Sequence, residues 1–453
     1  MFDATLREIW SALDGPPALA AGVRATAQGA LPSVFAVTDL AAASIAAAGL
    51  AVAEYRQAAG DAAREVVVDR RLASFWFQSS LRPQGWTPPP LWDPLAGDYP
   101  TRDGWIRLHT NAPQHRAAAL AALGCAEDRA AADAAVKSWR ADDLETAVVA
   151  AGGCAAAMRP ADAWRAHPQG LAANAEPLMA TQTTGAGRAR GPARPDRPLE
   201  GLRVLDCTRI LAGPVATRFL AAYGADVLRI DPPGWEEPSA APEVALGKRC
   251  ARLDLKTADG LARFGALMAQ ADVFVHGYRA DALERLGLGA AARQALRPGL
   301  IDVSLDAYGW RGPWRDRRGF DSLVQMSCGI AEAGMVAART GRPHPLPAQA
   351  LDHATGYLMA AAAVRALTRR LRTGEGTIAH ASLARTASLL MARRVENGLA
   401  ASLARETDDD LAPAVEANGR GPARRLKPPL AIDGAPMRWA LPAPLLGSSP
   451  PEW

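Results

Sequence analysis

Short apolar runs alternate with helical segments between residues 202 and 309, and no other feature limits the possible folds as much. LRVLDC (202–207) reads as a buried strand, AGPVATRFLAAYG (212–224) as a helix and ADVLRID (225–231) as a second strand. ADVFVHG (271–277) and LIDVSLDAYG (300–309) are further strands. Strands separated by helices in this way pair in parallel, through right-handed crossovers. The first turn leaves backbone N–H groups free at a helix start, a natural place for phosphate. Arg209 lies in that turn, and Pro214 at an early helical position that tolerates it. Asp231 closes the second strand, where a dinucleotide fold places a ribose-binding acid. The G-x-G-x-x-G fingerprint is absent, however, which disfavours a nicotinamide dehydrogenase.

A chain of 453 residues exceeds one ordinary core, so more than one domain is expected. Hydrophobic residues make up 49% and charged residues 22%, the balance of a globular protein. The net charge of +4 is small for this length and makes no case for nucleic acid. Five cysteines (125, 154, 207, 250, 328) form no C-x-x-C pair, which points to a reduced, cytoplasmic protein without a structural zinc site. No basic-then-apolar leader opens the chain. The Ala-rich runs near 41–53 and 358–367 read as too short or too interrupted to span a bilayer.

Residues 1–80 read as mostly helical, with a long Ala-rich helix in 36–61 before the strand-like EVVVD (65–69). Residues 81–180 read as a small α+β domain, containing a loop dense in Pro, Gly and Trp, the strand GWIRLHT and an amphipathic helix within 138–153. Residues 181–199 read as a linker, since TTGAGRARGPARPDRP (183–198) has no apolar periodicity. Residues 200–392 form the large domain, and 393–453 an extended segment wrapped on the surface. The expected class is α/β: an open parallel Rossmann-like sheet flanked by helices, plus a smaller α+β domain. Residues 37–61 and 350–376 share one pattern, an acid, an Ala-rich helix and a Gly turn. Asp39 stands 21 residues before Gly60, and Asp352 stands 22 before Gly374.

In order along the chain come PLEGLRVLDCTRILAGP, GADVLRIDPPG, GKRCARLDLKTADG, ADVFVHGYRADALERLGLG, AYGWRGPW, GFDSLVQMSCG and RTGEG. Together, over 198–392, they closely resemble the family III coenzyme A transferases. This carnitine/bile-acid group also includes formyl-CoA transferase and alpha-methylacyl-CoA racemase. The resemblance implies that Asp352, in ALDHATG, is the catalytic aspartate. It places Thr208, Arg209 and Leu211 at the thiol end of CoA, Lys248 and Arg249 near the nucleotide phosphates, and Arg285 at another CoA contact. Tyr308 and Phe320 fall on substrate-pocket positions. It also implies acyl-CoA and a carboxylic acid as substrates, CoA arriving with the substrate, no metal, no permanently bound cofactor, a homodimer, and no nucleic-acid or membrane partner.

The chemistry of the residues agrees. A carboxylate attacks a thioester carbonyl without a helper base. An aspartate at a helix start is expected to be held ionised by the helix's positive end and its free N–H groups, with a pKa of about 4. Attack gives a mixed acyl–aspartyl anhydride and CoA thiolate. The thiolate returns to the aspartyl carbonyl, leaving an aspartyl–CoA thioester, and the acceptor carboxylate repeats the sequence in reverse. Both intermediates hydrolyse readily, so the site must exclude water. The other reading of Asp352 is a plain N-cap, worth about 1 kcal/mol.

The sequence departs from the family in several places. Phe320 stands where the racemase branch has a histidine, which argues against alpha-proton exchange and for transfer. Leu211 stands where formyl-CoA transferase has glutamine, and HGY (276–278) is altered, which disfavours formyl and oxalyl substrates. No glycine-rich loop follows 393; the tail offers only EANGRGPARR, which keeps a non-catalytic CoA-binding homologue as a rival. Features of the family's small domain, DGWIRLHTN (103–111), WRADDLETAVVAAGG (139–153) and WRAHPQG (164–170), precede the large domain instead of following it. The chain therefore reads as two rearranged modules, with Asp39 on a non-catalytic relic helix.

Overall fold

The computed structural model describes residues 1–187, 189–192, 194–279 and 281–453. At its centre is a seven-stranded sheet. Its order is Lys248–Arg252, Asp226–Asp231, Arg203–Cys207, Val273–His276, Ile301–Asp306, Glu375–Ser382 and Ala180–Ala186. The first six are parallel and, counted along the chain, lie in the order 3-2-1-4-5-6, the doubly wound arrangement. The two central strands Arg203–Cys207 and Val273–His276 are buried on both faces, which is why they read as largely apolar runs.

The seventh strand runs antiparallel to Glu375–Ser382. It includes the start of the segment that reads as a linker. Its sequence, ATQTTGA, is mostly exposed, as suits a polar edge strand built on the extended preference of threonine.

One face of the sheet carries the helix Ala350–Thr373, which packs between Ala212–Ala222 and Val37–Ala58. Small side chains let these helices approach closely. A Cβ on Gly356 would lie 2.3 Å from the Ala212 carbonyl oxygen, so only glycine fits that crossing. By length and composition Val37–Ala58 is long and apolar enough to cross a membrane, contrary to the reading of the sequence. Most of its residues are buried in this core, which accounts for its apolar composition.

Val37–Ala58 also belongs to a structural repeat. It is followed by the strand Val66–Asp69 and the helix Arg70–Trp76, as Ala350–Thr373 is followed by Glu375–Ser382 and Leu383–Met391. The residues before the two long helices share one backbone conformation, φ −76°, ψ 62° at Ala36 and φ −77°, ψ 64° at Gln349. Val23–Thr26 pairs in parallel with Val66–Asp69, as Ile301–Asp306 does with Glu375–Ser382.

Two smaller assemblies complete the fold. The antiparallel strands Gly97–Pro100, Trp105–Leu108 and Ala155–Ala157 lie against helices and enclose a core of Tyr99, Ile106, Leu108, Leu144 and Val148. The C-terminal stretch is more ordered than its composition suggests. Leu411–Asn418 and Gly421–Leu426 form a hairpin that pairs with Leu81–Pro83, and Leu430–Ile432 pairs with Val66–Asp69. EANGRGPARR is the turn region of that hairpin.

Candidate active site

In a doubly wound sheet the strand order reverses between the first and fourth strands, and ligands bind beyond the carboxyl ends of the strands at that point. Here the reversal lies between Arg203–Cys207 and Val273–His276. A cavity of about 410 Å³ opens there, lined by Thr208, Arg209, Gly277 and Tyr278 from the following turns, and by Asp352. A second cavity of about 450 Å³ also reaches Asp352. Ile210, Leu211 and Phe320 line both cavities and so form the partition between them.

Asp352 occupies the third position of its helix and is 9% exposed. It is not the cap. Asp321, the first residue of the helix Asp321–Cys328, reaches across and accepts the N–H groups of Leu351 (2.8 Å) and Asp352 (2.9 Å) with one carboxylate oxygen. Its other oxygen accepts from Gln325. The helix start is thus already neutralised, and the Asp352 carboxyl accepts no hydrogen bond among the described residues. Burial, and then the neighbouring Asp321, push Asp352 well above the usual carboxylate range, where the sequence implied an ordinary ionised acid. Burial likewise raises Asp321 to about 6, although its three hydrogen bonds favour the ionised form. The Asp321 charge opposes ionisation of Asp352, and of the two Asp352 keeps its proton to the higher pH, because only Asp321 has donors.

The turn beside them is strained. Ile210 sits at φ 67°, a conformation that a β-branched residue adopts at a cost of about 1–3 kcal/mol. Its N–H donates to Glu237 at 2.9 Å, and Glu237 is fixed by Arg229. This holds the Ile210–Leu211 partition in place next to Asp352.

Of the residues singled out from the sequence, Asp352, Thr208, Arg209, Leu211 and Phe320 are brought to these cavities. Lys248, Arg249, Arg285 and Tyr308 are not. Lys248 is fully buried, its ammonium 3.0 Å from Asp206 and 3.0 Å from the Pro214 carbonyl, so it is out of reach of a phosphate in either cavity. Arg249 pairs with Asp226 at 2.9 Å on the outermost strand. Arg285 pairs with Asp281 at 3.0 Å on the surface. Tyr308 is buried against Trp164 and Trp314, with its hydroxyl 3.3 Å from Ser327.

In their place Arg279, Arg315, Arg317 and Arg318 line the first cavity together with Arg209. The altered HGY supplies Tyr278, whose hydroxyl accepts from Arg209 at 3.3 Å. The small assembly contributes two histidines that the sequence reading passed over. His109 stacks on Phe320 at 3.7 Å and lines the second cavity; His115 meets Phe320 edge-on and lines the first. Burial lowers them to about 3 and about 4, so both are neutral at physiological pH. Asp39, the counterpart of Asp352 in the repeat, pairs with Arg70 at 2.9 Å and lines neither cavity. Among the described residues no group of three His, Cys, Asp or Glu side chains is placed to hold a metal ion.

A doubly wound domain with a paired-carboxyl site at its switch point defines a class of ligand-binding α/β protein. Residues 199–416, just under half of the chain, match CoA-transferase family III. Its relatives include the "Probable fatty acyl-CoA transferase" of Mycobacterium tuberculosis, 33% identical over 42% of this chain and 52% of that one. The succinyl-CoA–D-citramalate CoA-transferase of Chloroflexus aurantiacus is 33% identical over 41% and 49%. The succinyl-CoA:glutarate CoA-transferase of Homo sapiens is 31% identical over 42% and 48%. A solved CaiB/BaiF family protein from Brucella suis is 27% identical, covers 50% of this chain and 65% of its own, and superposes with a TM-score of 0.38. The chain spans about half the length of the curated relatives it matches.

Proposed function

We propose that this protein moves CoA from an acyl-CoA thioester to a free carboxylic acid, with Asp352 as the acylated residue. The observation that carries the reading is the place of its carboxyl, free of hydrogen bonds at the junction of an arginine-lined cavity and a largely apolar one. The phosphates of CoA suit the arginine-lined first cavity, where Arg279, Arg315, Arg318 and Arg209 stand beside Arg317, itself already paired with Glu145. The acyl group suits the second, and the thioester then lies at the partition, against Asp352. Asp352 attacks the thioester carbonyl and the C–S bond breaks, giving the acyl–aspartyl anhydride and CoA thiolate. The thiolate attacks the aspartyl carbonyl, releasing the first acid and leaving an aspartyl–CoA thioester. The incoming carboxylate attacks that thioester, and returning thiolate completes the new acyl-CoA. Ile210, Leu211 and Phe320 shield the anhydride from water.

The same reading takes CoA as part of the substrate with no resident cofactor, and proposes a cytoplasmic homodimer. It also proposes that the small module has moved ahead of the CoA domain relative to the family. The named relatives act on fatty acyl, citramalate or glutarate groups, and what comes from them to this chain is the reaction type alone. The direct test is mass spectrometry after incubation with acyl-CoA and hydroxylamine. A hydroxamate on Asp352 is expected; an unmodified Asp352 with CoA bound would identify a binding protein instead.

The carboxyl pair predicts a pH dependence. Only ionised Asp352 attacks, so transfer rises with pH through the raised pKa of the pair. Asp321→Asn removes the like charge while retaining an oxygen for the Leu351 and Asp352 N–H groups. The acid limb of kcat/KM is expected to move to lower pH by about one unit or more. A limb that stays in place would show that the pair is not coupled.

A further inference from the structure

The two cavities at Asp352 have opposite characters, and the contrast bears on which acids this site takes. The first is lined by five arginines. The second presents Phe77, Leu91, Trp92, Leu211, Phe320 and Leu346, and among the described residues no lysine or arginine lines it. Its two imidazoles carry no charge at neutral pH, since burial lowers both His109 and His353 to about 3. Its remaining acid, Glu243, is held ionised at about 2: burial opposes this, but Arg218 and Arg425 outweigh it. Those two guanidiniums are engaged by Glu243 itself. Arg107, which packs on Trp92, is paired with Asp98 at 2.7 Å. Among the described residues, therefore, no cation is free to meet a negative charge inside this cavity.

We infer that the acid handled here is a monocarboxylate with an apolar tail, and that dicarboxylates are excluded. One carboxylate of the substrate is consumed at Asp352, where it becomes the thioester. A second carboxylate at the far end would lie in a largely apolar cavity beside the Glu243 carboxylate, partly desolvated and with no cation to pair with among the described residues, which is unfavourable. An alkyl or aryl tail packs on the apolar walls of Phe77, Leu91, Trp92, Leu211, Phe320 and Leu346 and displaces water from them. The polar atoms present, His109 and Asn111 among them, can accept a neutral substituent such as a hydroxyl but cannot neutralise an anion.

This inference rests on the transfer reading, and two measurements on the full chain separate them. Ligand-observed NMR on the CoA-saturated protein compares hexanoate, phenylacetate and glutarate. Initial transfer rates with the same three acids and one acyl-CoA donor follow. Hexanoate and phenylacetate are expected to show saturation transfer that glutarate lacks, and to exceed glutarate at least about a hundredfold in kcat/KM. Leu91→Arg, at an exposed lining position, introduces a cation with little risk to folding. It is expected to raise glutarate use at least about tenfold while weakening hexanoate. Glutarate equal to hexanoate in the unmodified protein would overturn the substrate class and leave transfer standing. Selective hexanoate binding without transfer of any acid would overturn the transfer reading and keep the apolar site. No binding and no transfer would overturn both.

Discussion

Replacing Asp352 by asparagine is expected to abolish CoA transfer, by at least about a thousandfold in kcat/KM, and to make the protein more stable at neutral pH. The first effect follows from chemistry: an amide does not form the anhydride, and no other described carboxyl lines both cavities. The second follows from the pKa shifts. Asp352 and Asp321 have folded values above those of the unfolded chain, so over that interval the folded protein holds protons the unfolded chain has released. Stability from such groups is fully present below the unfolded value of about 4 and is lost as pH rises through the folded values. At pH 7 the fold keeps on Asp352 a proton that the unfolded chain has released, and that uptake weighs against the fold. Asparagine removes that penalty at nearly constant volume, and a gain on the order of 1–3 kcal/mol is expected, shrinking as the pH falls towards 4. Thermal melts of both proteins at pH 7 and pH 4.5, alongside transfer assays, measure both effects. A variant that turns over normally would end the proposed chemistry. A variant that melts lower at pH 7 would show that the carboxyl is not an unfavourable burial.

Such a cost is legible only in three dimensions. Four strands of the parallel sheet could be read from the chain because each is a short apolar run with helices between them, whereas Lys248–Arg252 and Glu375–Ser382 could not, being too polar to stand out. The long helix bearing Asp352 could be read from its alanines and closing glycine. The cap could not, because Asp321 lies 31 positions from Asp352 and belongs to a different helix. Local rules assign an acid near a helix start to that helix's own N–H groups, and here those groups had already been taken. A signal did exist in GFDSLVQ, an acid opening a helical run inside a family motif. His109 and His115 carried none, since nothing local indicates that the small assembly folds against Phe320. Residues 180–186 were misleading because an exposed edge strand has the polar composition of a linker. The basic side chains of the GKRC motif misled for the opposite reason. Adjacent charges usually face solvent, yet neighbours on a strand point to opposite faces, and here Lys248 is buried while Arg249 is only half-buried.

Lys248 makes that last error measurable. Its ammonium is buried between Asp206 and the Pro214 carbonyl, while Asp206 also accepts the Thr208 N–H at 2.9 Å and the Thr217 hydroxyl at 2.6 Å. Burial would raise Asp206, but Lys248 and Arg229 outweigh it and hold the carboxylate below its usual range. The pair ties the first strand to the turn that carries Thr208 and Arg209. Removing one partner strands the other, and breaking a buried pair costs about 3–5 kcal/mol. Lys248→Ala is therefore expected to lower the melting temperature by several degrees or to prevent accumulation of folded protein. The double variant Lys248→Met with Asp206→Asn removes both charges and is expected to recover most of the loss, because neutral groups of similar volume carry little burial penalty. A phosphate-binding lysine predicts the reverse, an unchanged melting temperature with a raised KM for acyl-CoA, and no rescue by the Asp206 change. Melting temperature and KM measured on both variants decide between an interior ion pair and a nucleotide contact. The contrasting control is Arg315→Ala, at an exposed position lining the arginine-rich cavity. It is expected to weaken acyl-CoA binding severalfold, more at low salt than at high, with no change in melting temperature.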